Sequence, residues 1–171
     1  MLRALIERKL SAEERKLGAS LDYARHILRT SLRAFLRFTK AIGLSSYRRR
    51  LPVEPWAVAR IVATRDADCG TCVQIEVNLA KRAGVPAGVL AAAVQGRPDD
   101  LEPELRSAYR FAAAVARATG EEDALRDEIR RRWGEEGLVE MAIGIAACRF
   151  FPVVKRALGY ATSCRLVRIE V

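Results

Sequence analysis

Two cysteines separated by two residues are the side chains of this sequence most able to do chemistry. Cys69 and Cys72 lie in the stretch 66–76, which ends in the carboxylate of Glu76. Two thiols at this spacing can close into a small disulfide ring or hold a metal ion. A helix N-terminus beside them favours the thiolate, which is the reactive form. The sequence therefore predicts that this pair is the functional centre.

A helix that begins at the first cysteine would bring three reactive side chains together. Cys69, Cys72 and Glu76 occupy positions i, i+3 and i+7, so we expect them on one helix face. One thiolate can attack a disulfide or a peroxide, and the other can resolve the adduct into an internal disulfide. Glu76 would accept the proton of the attacking thiol.

The residues around the pair predict an accessible site at the start of that helix. Asp66 and Asp68 are expected to provide its N-cap. Gly70 and Thr71, between the cysteines, are small enough to leave the sulfurs approachable. The surrounding sequence therefore favours two thiols that a substrate can reach.

Other interpretations of the same residues stay open. The two thiols could be reduced core residues, or half of a zinc site that Cys148 and Cys164 complete. Glu76 could be an ordinary helix charge, paired with Arg60 or Arg65. These interpretations differ in whether the thiols are buried, whether other cysteines approach them, and whether an arginine contacts Glu76.

The composition indicates one helical domain. The chain has 171 residues, of which 50% are hydrophobic and only 6% aromatic, and this balance favours packed helices over sheets. Four cysteines are too few for a secreted disulfide scaffold. Charges interrupt the first nine residues, and no apolar run reaches the roughly 18 residues of a membrane span. We therefore expect an all-α, cytoplasmic protein without a membrane segment.

The net charge of +9 raises nucleic acid or an anionic membrane as a partner. Dense basic runs occur only at 48–50 and 130–132, however, and the other arginines are spread along helical segments. No Gly-rich phosphate loop, zinc-finger spacing or RNA-binding aromatic signature accompanies them. Solvated faces or oligomer contacts are the favoured interpretation, and nucleic-acid binding is not expected.

Apolar periodicity and helix-stop residues divide the chain into helices. The predicted ranges are 2–17, 20–42, 56–65, 69–83, 86–95, 101–119, 121–133 and 135–148. Ser11 is expected to open a capping box, and Gly43 to end the second helix. His26, the only histidine, is interpreted as a structural helix residue. The helix from 135 is expected to be buried on most sides, with Pro152 kinking it or starting another helix.

Two parts of the chain carry a resemblance to a known family. The segment DCGTCVQIE at 68–76 between two helices, followed by KRAGV at 81–85, resembles the core of the carboxymuconolactone decarboxylase and alkylhydroperoxidase D-like superfamily. Residues 135–146 and 156–159 are similar to that family's closing helices. The resemblance covers residues 50–160. It implies an all-helical bundle that assembles as trimers or hexamers. The N-terminal helical arm at 1–49 and the extended tail at 161–171, which the pattern of the chain itself predicts, lie outside the resemblance.

The resemblance also assigns roles to the cysteines. In the peroxidase branch Cys72 would attack and Cys69 would resolve. The family motif places a histidine where this chain has Glu76, and a proton-relay glutamate where it has Ala57. Glu54 lies one helical turn before that position and could replace the glutamate only if its helix were shifted or wound differently.

The predicted function is that of a thiol-dependent antioxidant protein that reduces a peroxide or a disulfide through an internal disulfide. An external thiol would recycle it, and no cofactor or metal is called for. One alternative is a non-enzymatic helical oligomer, either a redox sensor or a protein that binds a partner through its basic surface. Another is a cysteine-independent enzyme of the carboxymuconolactone decarboxylase type.

Overall fold

The computed structural model describes residues 2–160 and 171, and helices make up 79% of the structure. No strand occurs in this part of the chain, which confirms the predicted all-α class. The helices are α1 (Leu2–Leu17), α2 (Asp22–Thr30), α3 (Leu32–Phe38), α4 (Lys40–Ser45), α5 (Val53–Arg65), α6 (Gly70–Arg82), α7 (Ala87–Gln95), α8 (Pro103–Arg117) and α9 (Glu122–Ala157), with a 3-10 turn at Pro98–Asp100. The predicted extended tail and Cys164 fall outside the described residues.

Helix α5 is the centre of the fold. It packs against α6, α7, α8 and α9, and every residue from 57 to 64 is buried. A helix that is buried all round depends on neighbours on every side. Arg65 is its last residue, as the sequence predicted, but the helix begins at Val53, three residues before the predicted start. The end of α5 therefore delivers the chain directly to the cysteine pair.

The N-terminal helices build a second, smaller hydrophobic cluster. Its buried members are Leu21, Tyr23, Ala24, Leu28 and Phe35. Val154 of α9 packs against this cluster. The side-chain amide of Asn78 in α6 donates a hydrogen bond to the carbonyl oxygen of Leu17 at 2.8 Å. The predicted arm is thus held against both α6 and α9.

The prediction of one continuous helix over 20–42 is wrong. The chain leaves helical geometry at Ser31, with φ −154° and ψ 113°. The Ser31 hydroxyl accepts a hydrogen bond from the backbone N–H of Ala34 at 3.1 Å and so caps α3. A serine competes with the helix for backbone hydrogen bonds, which periodicity does not reveal.

Two other local predictions in the arm are also wrong. Gly43 does not end a helix, because α4 continues to Ser45. Ser11 does not cap a helix either, since it lies inside α1 and its hydroxyl donates to the carbonyl oxygen of Glu7. Gly18, in contrast, follows the end of α1 with a φ of 66°, as expected of a stop residue.

Helix α9 confirms two expectations and corrects one. Gly134 breaks the helix with φ 72° and ψ −179°, at the predicted boundary. The helix then passes through Pro152 and continues to Ala157 without another residue outside helical geometry. Most positions from 135 to 148 are buried, as expected, but Val139 is 47% exposed, and beyond this range Val153 is 60% exposed. One face packs in the core and the other carries exposed apolar residues.

Helix α9 is also long and apolar enough to cross a membrane by length and composition, which corrects the expectation that no stretch reaches this size. Half of the apolar stretch is buried inside the fold, and core helices of soluble proteins meet the same criterion. This feature alone is weak evidence for a membrane segment.

Candidate functional site

The structure brings the two cysteines together at the start of α6. Cys69 is the N-cap residue, with φ −133°, and Cys72 lies in the first helical turn. Their Cα atoms are 5.3 Å apart, within the range of disulfides, and their sulfurs are close enough to bond. The predicted helix start is therefore one residue early, since α6 begins at Gly70.

Neither expected aspartate caps α6. Asp66 is the C-cap of α5, and its carboxylate accepts hydrogen bonds from Arg117 at 2.8 and 3.1 Å. Asp68 has a φ of 53°, in the left-handed region. The connection between α5 and α6 is so short that a tight turn uses both residues, and the N-cap position falls on Cys69.

Two distant arginines hold this turn from outside. Arg117 of α8 binds Asp66, and Arg156 of α9 donates to the carbonyl oxygen of Ala67 at 2.6 Å. Sequence reasoning missed both, because they lie far along the chain and nothing local marks their partners. They position the cysteine pair through the backbone that precedes it.

The cysteines are less accessible than predicted. Cys69 is 2% exposed and Cys72 is 7% exposed, and they form a small buried cluster apart from the main core. The small residues between them therefore do not leave the sulfurs open to solvent. A substrate has to approach through a neighbouring pocket or a local opening.

Glu76 is paired with Arg60, as one of the sequence interpretations proposed. The guanidinium of Arg60 donates to the two carboxylate oxygens at 2.8 and 2.7 Å, and both residues are buried. Burial by itself would lower the pKa of Arg60, but the charge and hydrogen bonds of Glu76 outweigh it and raise that pKa. The carboxylate that was predicted as a proton acceptor is thus already engaged.

Arg60 of α5 contacts residues of both α4 and α6. It also donates to the hydroxyl of Ser45 in α4 at 2.9 Å, and it lies over the ring of Trp56 at 4.3 Å. The indole N–H of Trp56 and the hydroxyl of Thr64 are buried without a hydrogen-bond partner among the described residues. The Arg60–Glu76 pair was among the sequence interpretations, but the contacts of Arg60 with Ser45 and Trp56 were not predicted.

Ala57, at the position of the family's proton-relay glutamate, and Glu54, its possible replacement, lie away from the cysteines. Glu54 is in the first turn of α5, and Cys69 follows the last turn. The eleven residue steps from Glu54 to Arg65 span roughly 16 Å of helix. Ala57 is buried in the core. Since α5 is a regular helix, its start does not bring a carboxylate to the thiols.

Cys148 belongs to the main hydrophobic core. It is 1% exposed, and its thiol donates to the carbonyl oxygen of Ile145 at 3.2 Å. Burial, reinforced by the negative charge of Glu76, raises the pKa of Cys148 to about 12. Within residues 2–160, no three His, Cys, Asp or Glu side chains come together as a metal site.

A pocket of about 420 Å³ adjoins the first turn of α6. Thr71, between the two cysteines, lines it together with Gln74 of the same helix and Lys155 of α9. The arm contributes Gly18, Ala19, Ser20, Asp22 and Tyr23 to the pocket. Tyr160 also lines it, and its hydroxyl lies 3.2 Å from Nδ1 of His26 in an adjacent pocket. This pocket was not predicted, because it forms only where the arm, α6 and α9 meet.

No family model, curated protein or solved structure matches the chain. The assignment to the alkylhydroperoxidase D-like superfamily therefore stays a prediction from the sequence. The structure supports the all-helical class and the proximity of Cys69 and Cys72.

Proposed function

We propose that the protein is a dithiol oxidoreductase that reduces a small disulfide or peroxide at Cys69 and Cys72. The observation that carries this proposal is that their sulfurs lie within bonding distance at the N-terminal turn of α6. The positive end of a helix dipole stabilises a thiolate in the first turn. Because Cys72 is inside that turn and Cys69 only precedes it, Cys72 is the attacking residue.

The reaction balances with a disulfide as the oxidant. The Cys72 thiolate attacks one sulfur of the substrate, the substrate S–S bond breaks, and one thiolate leaves and takes up a proton. Cys69 then attacks the Cys72 sulfur, which releases the second substrate thiol and leaves the Cys69–Cys72 disulfide. With a peroxide, Cys72 is oxidised to a sulfenic acid, and Cys69 displaces water from it. Two equivalents of an external thiol restore the dithiol, as in a reducing compartment such as the cytoplasm.

Glu76 is proposed as the proton acceptor for this step. It follows Cys72 by one helical turn, but both of its oxygens are bound by Arg60. To accept a proton, the carboxylate has to give up one of these hydrogen bonds. The proposal therefore couples proton transfer to a change in the Arg60–Glu76 pair.

The proposal is tested by turnover of purified protein with hydrogen peroxide or a small disulfide and dithiothreitol as reductant. We expect Cys72→Ser to abolish turnover. Reduced Cys69→Ser protein, mixed with the small disulfide in the absence of dithiothreitol, should stop at the mixed disulfide on Cys72, which mass spectrometry detects. Cys148→Ser is the matched control and should retain turnover. An oxidised protein without a Cys69–Cys72 disulfide would refute the proposal, and a disulfide that forms without turnover would identify a redox sensor instead.

We also propose that the chain assembles with copies of itself, as trimers or hexamers. The support is an exposed apolar surface that includes Ile42 and Leu44 of α4 and Val139, Phe150 and Val153 of α9. Helices α4 and α9 pack side by side, so these residues belong to neighbouring elements. Exposed apolar patches of this kind mark interaction surfaces.

Light scattering during gel filtration tests the assembly. We expect a mass of three or six chains for the wild-type protein and a smaller mass for Val153→Asp. Lys81→Glu, a charge change on the exposed part of α6, serves as the control. A wild-type protein that is monomeric at micromolar concentration would refute this proposal.

A further inference from the structure

The pocket beside Thr71 is lined by a cationic side chain that has no anionic partner among the described residues. Lys155 is 6% exposed and lines this pocket. Among the described residues, its ammonium group has no hydrogen bond or ion pair, and it lies 5.8 Å from the ring centre of Tyr23. A buried ammonium is costly without a paired anion. The contacts of Lys155 within the described chain therefore do not compensate its charge.

Neither Tyr23 nor Asp22, the described residues beside Lys155 that could carry negative charge, supplies that anion. Burial raises the pKa of Tyr23 to about 12, so its phenol is neutral at physiological pH. Asp22 also lines the pocket, but its carboxylate accepts a hydrogen bond from Ser20 at 2.6 Å and lies 3.7 Å from the guanidinium of Arg25. The negative charge nearest to the pocket is therefore already shared with other groups.

The same pocket adjoins the N-terminal end of α6, a helix of 13 residues. A helix N-terminus carries partial positive charge and unpaired backbone N–H groups, and both favour anions. Thr71 is in this first turn and lines the pocket. Two independent sources of positive potential therefore adjoin one cavity, which is lined by Thr71, the residue that precedes Cys72.

We propose that this pocket binds the carboxylate of a small anionic oxidant and so selects the substrate of the cysteine pair. Lys155 holds the carboxylate, and the rest of the molecule extends past Thr71 toward Cys72. A volume of about 420 Å³ suits a small molecule of this kind. The inference rests on the proposed redox function for its catalytic consequence, but the anion site itself does not depend on it.

Two disulfides that differ in charge test the selectivity. Reduced protein is mixed with 3,3′-dithiodipropionate or with neutral bis(2-hydroxyethyl) disulfide, and formation of the Cys69–Cys72 disulfide is followed by quenching, alkylation and mass spectrometry. Each rate is divided by the rate of the same reagent with free mercaptoethanol. We expect the anionic reagent to be favoured by about tenfold or more, as for other electrostatically steered reactions.

Substitutions at Lys155 identify the group responsible. Lys155→Gln should remove the preference by slowing only the anionic reagent, whereas Lys155→Arg, which keeps the charge, should retain it. Lys81→Gln removes an exposed charge at the other end of α6 and is the matched control. Circular dichroism checks that each variant folds. Equal rates for both reagents in the wild-type protein, or an equal loss for both in Lys155→Gln, would overturn the inference.

Binding of suberate, the all-carbon analogue of dithiodipropionate, separates the anion site from the redox function. Calorimetry is performed on the Cys69→Ser/Cys72→Ser protein with and without Lys155→Gln. Lys155-dependent binding, combined with a wild-type protein that forms no disulfide with any oxidant, would support the anion site and refute the proposed function. Disulfide formation without suberate binding or charge preference would refute the anion site alone.

Discussion

Arg60 and Glu76 form a buried ion pair with two hydrogen bonds. The pair links α5 to α6 one helical turn after Cys72. The guanidinium nitrogens lie 2.8 and 2.7 Å from the two carboxylate oxygens. Glu76 was singled out from the sequence for its spacing from Cys72, and the tertiary structure shows a second reason for a carboxylate at this position.

Arg60→Met should destabilise the protein strongly, because it leaves the Glu76 carboxylate buried without its partner. Breaking a buried ion pair in this way costs about 3–5 kcal/mol. Urea denaturation measures the free energy of unfolding. Arg97→Met is the control, since it removes an exposed pair with Asp100 that is worth at most about 1 kcal/mol. Equal effects of the two substitutions would contradict a structural role for Arg60.

Glu76→Gln should slow oxidation of the reduced cysteines near neutral pH, because the amide cannot accept the thiol proton. Stopped-flow measurement with a small disulfide gives the rate, and circular dichroism confirms that the variant is folded. Glu104→Gln, which changes an exposed carboxylate in α8, should leave the rate unchanged. An unchanged rate in Glu76→Gln would remove Glu76 from the mechanism and leave it only the ion pair with Arg60.

Cys148 should not react with iodoacetamide in the folded protein. With a pKa of about 12, only about one molecule in 10⁵ carries its thiolate at pH 7. We expect peptide mapping of the reduced protein to show Cys72 labelled first and Cys148 labelled only after urea is added. Labelling of Cys148 as fast as Cys72 in the native protein would show that its core environment is open.

Glu140 should make the stability depend on pH in the acid range. Burial would raise its pKa, but the backbone N–H groups of Leu51, Arg50 and Arg49, at 2.9 to 3.0 Å, outweigh burial and lower it below 4.5. The ionised group therefore contributes stability above pH 4.5, and this contribution is lost as the pH falls through the lower, folded-state pKa.

Glu140→Gln tests this dependence. At pH 7 we expect it to lower the free energy of unfolding by about 1–3 kcal/mol, because buried donors lose a charged acceptor. Between pH 7 and pH 4 the variant should lose less stability than the wild-type protein. Glu136→Gln, one turn earlier in an exposed pair with Arg50, should change the stability by less than about 1 kcal/mol. A parallel pH profile for wild type and Glu140→Gln would contradict the prediction.

Two helical glycines should respond in opposite directions to alanine. A Cβ atom at Gly144 would lie 2.9 Å from Nε1 of Trp56, so Gly144→Ala should cost about 1–3 kcal/mol. At Gly43, inside α4, the Cβ would meet no atom of the described chain within 4 Å, so Gly43→Ala should stabilise by about 0.5–1 kcal/mol. Thermal denaturation of both variants measures the difference, and a shared sign would contradict it.

Features that depend on neighbouring residues were predictable from the sequence. Pro52 and Pro86 precede helices and Gly134 breaks one, because their backbone conformations are restricted or unusually free. The low aromatic content and apolar periodicity predicted the all-α class. The spacing of Cys69 and Cys72 was enough to predict that their sulfurs could meet, since a short turn can change their separation very little.

Features that depend on distant contacts were decided only by the tertiary structure. Ser31 breaks a helix that periodicity made continuous, and Cys69 and Cys72 are buried although small residues separate them. Arg60 takes up the carboxylate of Glu76, and Lys155 reaches a pocket beside Thr71 that lies far earlier in the chain. The sequence by itself determined which groups could react. The packing of the arm, α6 and α9 decided what surrounds them, because burial and pairing depend on which helices meet.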